Sequence, residues 1–162
     1  MSITKWTIPL LAVLGFADSA YLAVTHWRGE LPPCGGYVGC DLVNTSKYAE
    51  VFGVPIAALG ALLYATILAV SLINGRPPDR VWVFRILTLY GLSLAGAIFM
   101  SYLTAVELFV IHAICYWCVA LALITFLVLI LATSDVWRFE PESISPNFAG
   151  AHPKLEAKPR KK

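Results

Sequence analysis

Three long apolar stretches occupy most of this chain and limit the folds that are open to it. They cover about residues 7–25, 54–73 and 81–133, and a helix needs about 20 mostly apolar residues to cross a bilayer. The third stretch is too long for one such helix and fits two, because only Arg85 and Glu107 interrupt it with a charge. Charged residues make up 14% of the sequence, against about 25% in soluble domains. We therefore predict an all-α polytopic membrane protein, a bundle of four transmembrane helices.

The first stretch has a competing explanation as a cleaved signal peptide. Lys5 would be its basic end, and Asp18-Ser19-Ala20 would be a poor cleavage site. Because the apolar run continues to Val24, we prefer a membrane span. Asp18 then lies near the middle of the span, where an acid is costly and often functional, although a hydrogen bond to Ser19 or to another helix would also explain it.

Basic residues are distributed unevenly around the four predicted spans. One side receives most of those near span ends, namely Lys5, Arg76, Arg80, Arg85 and Arg138. The other side receives Arg28 and Lys47, which are offset by nearby acids. Because Lys and Arg favour the cytoplasmic side, we expect both termini in the cytoplasm and the loop 26–53 outside. The predicted units are a membrane domain, residues 1–137, and a basic, disordered cytoplasmic tail, residues 138–162.

Four cysteines form two pairs by position, and the predicted topology places all four at the outer face. Cys115 and Cys118 form a CxxC motif where the fourth span begins, and residues three apart share one face of a helix. Helix N-terminal amides favour the thiolate of Cys115. Cys118 lies one turn deeper, toward lipid, where it could deliver electrons to a quinone. The alternative is a pair of small buried hydrophobic side chains, and we favour thiol–disulfide redox chemistry.

Cys34 and Cys40 enclose a glycine-rich ring in the outer loop. A disulfide between them would be either a static clip or one station of an exchange relay, because a flexible, exposed disulfide is open to attack by a foreign thiolate. The second cysteine pair on the same face favours the relay. A zinc site made from all four cysteines fits poorly with the C-x5-C spacing, and no metal is predicted.

Several polar and apolar residues near the outer face have open roles. Leu42, Val43 and the pair Val51-Phe52 could form one face of a short helix on the membrane surface. Glu107 and His112 lie in the turn expected between the third and fourth spans. We expect both to be solvated turn residues, and a proton-donor role in quinone reduction stays open for either.

A set of motifs occurs in a specific order along the chain. Two loop cysteines follow the first span, Ser46 follows Cys40 by six residues, Phe52-Gly53 opens the second span, and the CxxC opens the last. The most characteristic stretches are Asp18–Leu22, Cys40–Ser46, Val51–Pro55 and Glu107–Ile111. Over about residues 7–133 this arrangement resembles the vitamin K epoxide reductase family, in particular its bacterial members.

The resemblance implies a four-helix bundle around a membrane quinone in the bacterial cytoplasmic membrane. A DsbA-like thioredoxin-fold protein would give electrons to the loop pair, which would pass them to the CxxC. By position, Cys34 would meet this partner and Cys40 would exchange with Cys115. Cys118 would face and bind the quinone, and Ser46 would lie near the active site.

Two departures from the family pattern refine this expectation. Many bacterial members carry a fused thioredoxin-like domain after the last span, and this sequence ends too soon for one, so the partner is expected to be a separate chain. Vertebrate members carry an Asn and a Tyr that are linked to vitamin K epoxide, where this sequence has Ala49 and Ala122. We therefore expect reduction of a quinone rather than of the epoxide.

The function predicted from these features is a quinone-dependent thiol oxidase that reoxidises the DsbA-like partner and supports disulfide bond formation. The alternative from another class is a non-enzymatic four-span scaffold with structural disulfides. A DsbB-like oxidase is disfavoured, because in that family the CxxC precedes the spaced pair. A transporter has little support, because Asp18 and Glu107 would be its only intramembrane acids.

Overall fold

The chain is mostly helical in a computed structural model, which describes residues 4–30, 32, 39–73 and 79–143. The helices are α1 (Thr4–Arg28), α2 (Gly39–Asn44), α3 (Ile56–Ser71), α4 (Arg80–Val106) and α5 (Tyr116–Ser143). The short strands β1 (Glu50–Val51) and β2 (Val54–Pro55) pair antiparallel, and a π-helical turn, Glu107–Ile111, follows α4. Helix α5 continues past residue 137, the predicted end of the membrane domain, and residues 144–162 of the predicted tail lie outside the described residues.

Three helical segments within the described residues are long and apolar enough to cross a membrane. They are Trp6–Arg28, Arg80–Ile111 and Tyr116–Trp137. Helix α3 is also apolar, but it has 16 residues and spans about 24 Å at 1.5 Å per residue, whereas the hydrocarbon core of a bilayer is about 30 Å thick. It is shorter than the predicted stretch 54–73 because Val54 and Pro55 belong to β2. The predicted helical fold is thus confirmed, and three of its helical segments have the length and apolar composition of a membrane span.

The helices pack as a bundle around one apolar core. Helix α1 packs mainly against α3 and α5, and α4 packs against α5 and α3. The buried side chains of the core come from all four long helices and include Ile8, Leu22, Tyr64, Ile67, Leu89 and Val128.

Tyr64 joins three of these helices. Its ring packs against Gly15 of α1, and its hydroxyl lies 3.1 Å from the Leu121 carbonyl oxygen and 2.8 Å from Thr125 Oγ1 of α5. A buried hydroxyl needs such partners because water does not reach it. The Tyr64 ring is therefore held in place from two sides.

The predicted surface helix is shorter than expected. Helix α2 ends at Asn44, whose side-chain amide donates to the Cys40 carbonyl oxygen at 2.9 Å. Val51 and Phe52 lie in the β1–β2 hairpin instead, and its turn places Phe52 at φ 53° and Gly53 at φ 78°. Two consecutive positive φ values are typical of a type I′ hairpin turn, and a right-handed helix excludes them. The prediction that Val51 and Phe52 belong to the surface helix is therefore wrong.

Adding a methyl group at Gly15 tests how tightly α1 and α3 are packed. A Cβ at this position would overlap the Tyr64 ring, which its hydrogen bonds keep from moving aside. We expect Gly15→Ala to lower the free energy of unfolding by about 1–3 kcal/mol, measured by denaturant titration in detergent. The matched control is Gly91→Ala, because a Cβ there has no neighbour within 4 Å. Equal effects of the two substitutions would contradict this account.

Candidate functional site

The connection between α4 and α5 positions Cys115 at the start of α5. The Glu107 carbonyl oxygen accepts the Ala113 N–H at 3.1 Å, and Glu107 Oε2 lies 3.4 Å from the Cys115 backbone nitrogen. His112 takes the left-handed conformation, with φ 57°, which lets the chain reverse. The Cys115 carbonyl oxygen then accepts the Val119 N–H at 3.0 Å, as the residue before the first turn of a helix does.

The two thiols of the CxxC face each other and are both free. The Cys118 thiol donates a hydrogen bond to the Cys115 sulfur, and this contact is the main cause that lowers the pKa of Cys115 below its ordinary value. The backbone N–H groups of Cys118 and Trp117 add to the effect, whereas burial and the Glu107 charge oppose it. Cys115 is 0% exposed. The site therefore favours a Cys115 thiolate that is shielded from solvent.

Helix α2, which carries Cys40, packs against the connection that ends at Cys115. Cys40 is disulfide-bonded and 0% exposed. A Cβ at Gly39 would lie 2.5 Å from the Ile114 carbonyl oxygen, so only glycine permits this approach to the backbone. The Asn44 amide nitrogen lies 2.9 Å from the Cys40 carbonyl oxygen and 3.9 Å from Cys115 Sγ. Cys34, the remaining predicted site cysteine, lies outside the described residues.

A small apolar cavity of about 70 Å³ lies beside Cys118. Its walls come from α1, the segment after α2, α3, α4 and α5, and the polar groups among them belong to Asn44, Ser46, Tyr48, Glu107 and Cys118. The other lining side chains are apolar, among them Leu22, Ala49, Leu103, Val106 and Ile111. Cys118 therefore borders a small space whose walls are mostly apolar.

A second, polar pocket of about 240 Å³ opens on the other side of the segment that follows α2. His26 and Glu50 line it and contact each other at 2.7 Å. Asn44 and Ser46 line both this pocket and the apolar cavity, and the Ser46 hydroxyl donates to the Val43 carbonyl oxygen at 2.8 Å. Ser46 thus forms part of the wall between the two spaces.

Three residues of the site differ from the sequence prediction or were missed by it. Glu107 is 5% exposed, so the expectation of a solvated turn residue is wrong, because its carboxylate folds back onto Cys115 and Cys118. Gly39 and Asn44 were not singled out. Asn44 follows Cys40 by four residues, which places both on one face of a helix, and that spacing could have identified it.

The pH dependence of Cys115 alkylation tests the contact between the two thiols. Because the pKa of Cys115 is lowered, its thiolate persists to a lower pH than that of an ordinary cysteine, and the alkylation rate should fall only below that lowered pKa. Cys118→Ala removes the hydrogen bond, so we expect the midpoint of the rate profile to move to higher pH. Cys118→Ser keeps a donor and should move it less. The measurement is iodoacetamide labelling with mass spectrometry in a Cys34→Ala/Cys40→Ala background, and equal midpoints in all three proteins would contradict the assignment.

Comparison with known families supplies an independent observation. A model described as the Vitamin K epoxide reductase family matches residues 6–133. This range is more than half of the chain and contains all four cysteines.

Proposed function

Because the chain belongs to the vitamin K epoxide reductase family of membrane oxidoreductases, we propose that it is a quinone-dependent thiol oxidase. It reoxidises a separate DsbA-like thioredoxin-fold protein and passes the electrons through two cysteine pairs to a membrane quinone. The observation that carries this proposal is that the helix of the disulfide-bonded Cys40 packs against the start of the reduced CxxC, with Gly39 against the Ile114 carbonyl oxygen and the Asn44 amide 3.9 Å from Cys115 Sγ.

The relay begins at the loop pair. We propose Cys34 as the disulfide partner of Cys40, since Cys115 and Cys118 are free. Cys40 is fully buried, so an incoming thiolate of the partner protein attacks Cys34 and releases Cys40. Cys40 then attacks Cys115 of an oxidised CxxC, and the electron pair of that S–S bond moves to Cys118. The second thiolate of the partner attacks the partner sulfur bonded to Cys34, so the partner leaves oxidised and Cys34 is released. Cys34 then attacks Cys40, which restores the loop disulfide and releases Cys115 as a thiol.

The second half of the relay takes place at the apolar cavity. The described state, with Cys40 in a disulfide and the CxxC reduced, is the state that gives electrons to a quinone. Leu22, Leu103 and Val106 would contact the quinone, and Cys118 would deliver the electrons. Ala49 offers no polar group in the same wall, which supports a quinone rather than vitamin K epoxide as the substrate.

The proposed topology has four crossings of the bacterial cytoplasmic membrane, with both termini in the cytoplasm and the cysteines outside. Helix α3 would be the fourth crossing, and its 16 residues would be supplemented by the flanking hairpin and by Leu72 and Ile73, both of which are exposed and apolar. A short crossing is compatible with local thinning of the bilayer.

Removing either cysteine of the CxxC tests the proposed activity. We expect Cys115→Ala and Cys118→Ala to reduce quinone-dependent oxidation of a reduced thioredoxin-fold protein to the background rate, because each breaks the path to the quinone. The measurement uses purified membranes with an added quinone and follows the thiols of the partner and the quinol formed. Retained activity in both variants would rule out the relay.

Trapping of the partner separates the enzyme from the scaffold alternative. In Cys40→Ala, Cys34 is a free thiol that can attack the disulfide of an oxidised thioredoxin-fold protein, and no Cys40 thiol is present to displace the partner again. A mixed disulfide should therefore accumulate and survive denaturing gel electrophoresis without reductant. Complete absence of this adduct under oxidising conditions would favour a scaffold with structural disulfides.

Gly39→Ala tests transfer between the two cysteine pairs. The added methyl group would collide with the Ile114 carbonyl oxygen, and α2 would have to move away from Cys115. We expect at least a tenfold slower transfer from the loop pair to the CxxC, with an unchanged first step between the partner and Cys34. Rapid quenching with a thiol-alkylating reagent and mass spectrometry measures both steps, and Gly91→Ala again serves as the control. An unchanged second step would show that the close approach is not required.

A further inference from the structure

Glu107 is a buried carboxyl group at the end of a long apolar helix. It is 5% exposed, and within the described part of the chain no Lys, Arg or His side chain forms a salt bridge with it. An acid in such a place is costly and is often retained for function. The groups that contact the Glu107 carboxylate therefore indicate what it does.

The Glu107 side chain forms hydrogen bonds with both cysteines of the CxxC. Its Oε2 atom lies 3.4 Å from the Cys115 backbone nitrogen, and its carboxylate accepts a hydrogen bond from the Cys118 thiol. The Cys118 thiol also reaches the Cys115 sulfur. One proton thus has two acceptors, a sulfur and a carboxylate.

The two acceptors are not equivalent during the reaction. Whenever the Cys115 sulfur is bonded to another sulfur, it carries no charge and is a poor hydrogen-bond acceptor. The Glu107 carboxylate is then the acceptor that remains for the Cys118 proton. Of the other described titratable side chains, Tyr48 lines the same cavity, and the phenol of a tyrosine is a weak base compared with a carboxylate.

We propose that Glu107 is a catalytic residue that carries the proton of the Cys118 thiol. When the CxxC is oxidised, the carboxylate takes this proton, the Cys118 sulfur bonds to the Cys115 sulfur, and the electron pair leaves with the oxidant. The oxidant also takes up the two thiol protons, and Glu107 passes on the one that comes from Cys118. When the Cys115–Cys118 bond breaks, Glu107 returns a proton to the departing Cys118 sulfur. The biological use of this role rests on the proposed function. The step itself, closure of the Cys115–Cys118 disulfide, also occurs without quinone.

Closure of the Cys115–Cys118 disulfide can be measured with a small thiol reagent in the absence of quinone. In a Cys34→Ala/Cys40→Ala protein, methyl methanethiosulfonate converts the Cys115 thiolate to a methyl disulfide. Cys118 then attacks the Cys115 sulfur and expels methanethiolate, which takes up a proton. Mass spectrometry of quenched samples separates the methylthio adduct from the closed disulfide, so the two rates are obtained from one experiment.

We expect Glu107→Gln to slow closure about 100-fold, because general acid–base groups contribute about 10²–10⁴ in rate, and to leave adduct formation within about twofold of its original rate. Glu107→Asp, whose carboxylate is one methylene shorter, should slow closure about tenfold. The matched control is Glu50→Gln, which removes an exposed carboxylate that lines the polar pocket rather than the apolar cavity. This substitution should change neither rate.

Closure at the unchanged rate in Glu107→Gln overturns the proposal. If that variant does not fold, as judged by its melting temperature, Glu107→Asp decides, and closure at the original rate in it overturns the proposal as well. The outcome is independent of the proposed function. A protein that closes its CxxC with help from Glu107 but forms no quinol with any partner would contradict the quinone oxidase and leave the role of Glu107 standing.

Discussion

The backbone N–H of Cys115 donates a hydrogen bond to the carboxylate of Glu107, eight residues earlier in the chain. This contact stabilises the short connection between α4 and α5, the two longest apolar helices. Backbone groups near lipid need partners within the protein. Here Glu107 supplies two acceptors, its carbonyl oxygen for Ala113 and its side chain for Cys115. The chain can therefore leave α4, reverse at His112 and begin α5 with few unpaired backbone groups, and the CxxC comes to lie at a helix start.

The same contact has consequences for the thiols. It holds Cys115 where the first amides of α5 and the Cys118 thiol converge on its sulfur, and it leaves the Ile114 carbonyl oxygen directed at Gly39. A side chain at position 39 would separate α2 from this connection. The packing of α2, the pKa of Cys115 and the position of Cys118 beside the cavity therefore all depend on one short connection.

The sequence predicts the first and fourth spans well, because hydropathy is averaged over many residues. Trp6–Arg28 and Tyr116–Trp137 agree with the predicted first and fourth spans to within a few residues. It does not predict that Phe52 turns a hairpin, because the positive φ of a non-glycine residue follows from its surroundings rather than from its own preference. Nor does it predict the burial of Glu107, since an acid at the end of an apolar run is equally compatible with a solvated turn and with a folded-back carboxylate.

Burial also determines the order in which thiols can react. Cys40 and Cys115 are each 0% exposed, and thiol–disulfide exchange requires direct access to sulfur. A partner protein is therefore kept from both sulfurs, and in the folded protein the two exchange most readily with each other or with their immediate neighbours. Asn44 and Ser46 reinforce this separation, because they stand between the polar pocket and the apolar cavity. The partner protein is then selected at the loop cysteine, and the electron acceptor is selected at Cys118. The exchange between Cys40 and Cys115 lies between these two steps and involves neither the partner nor the acceptor.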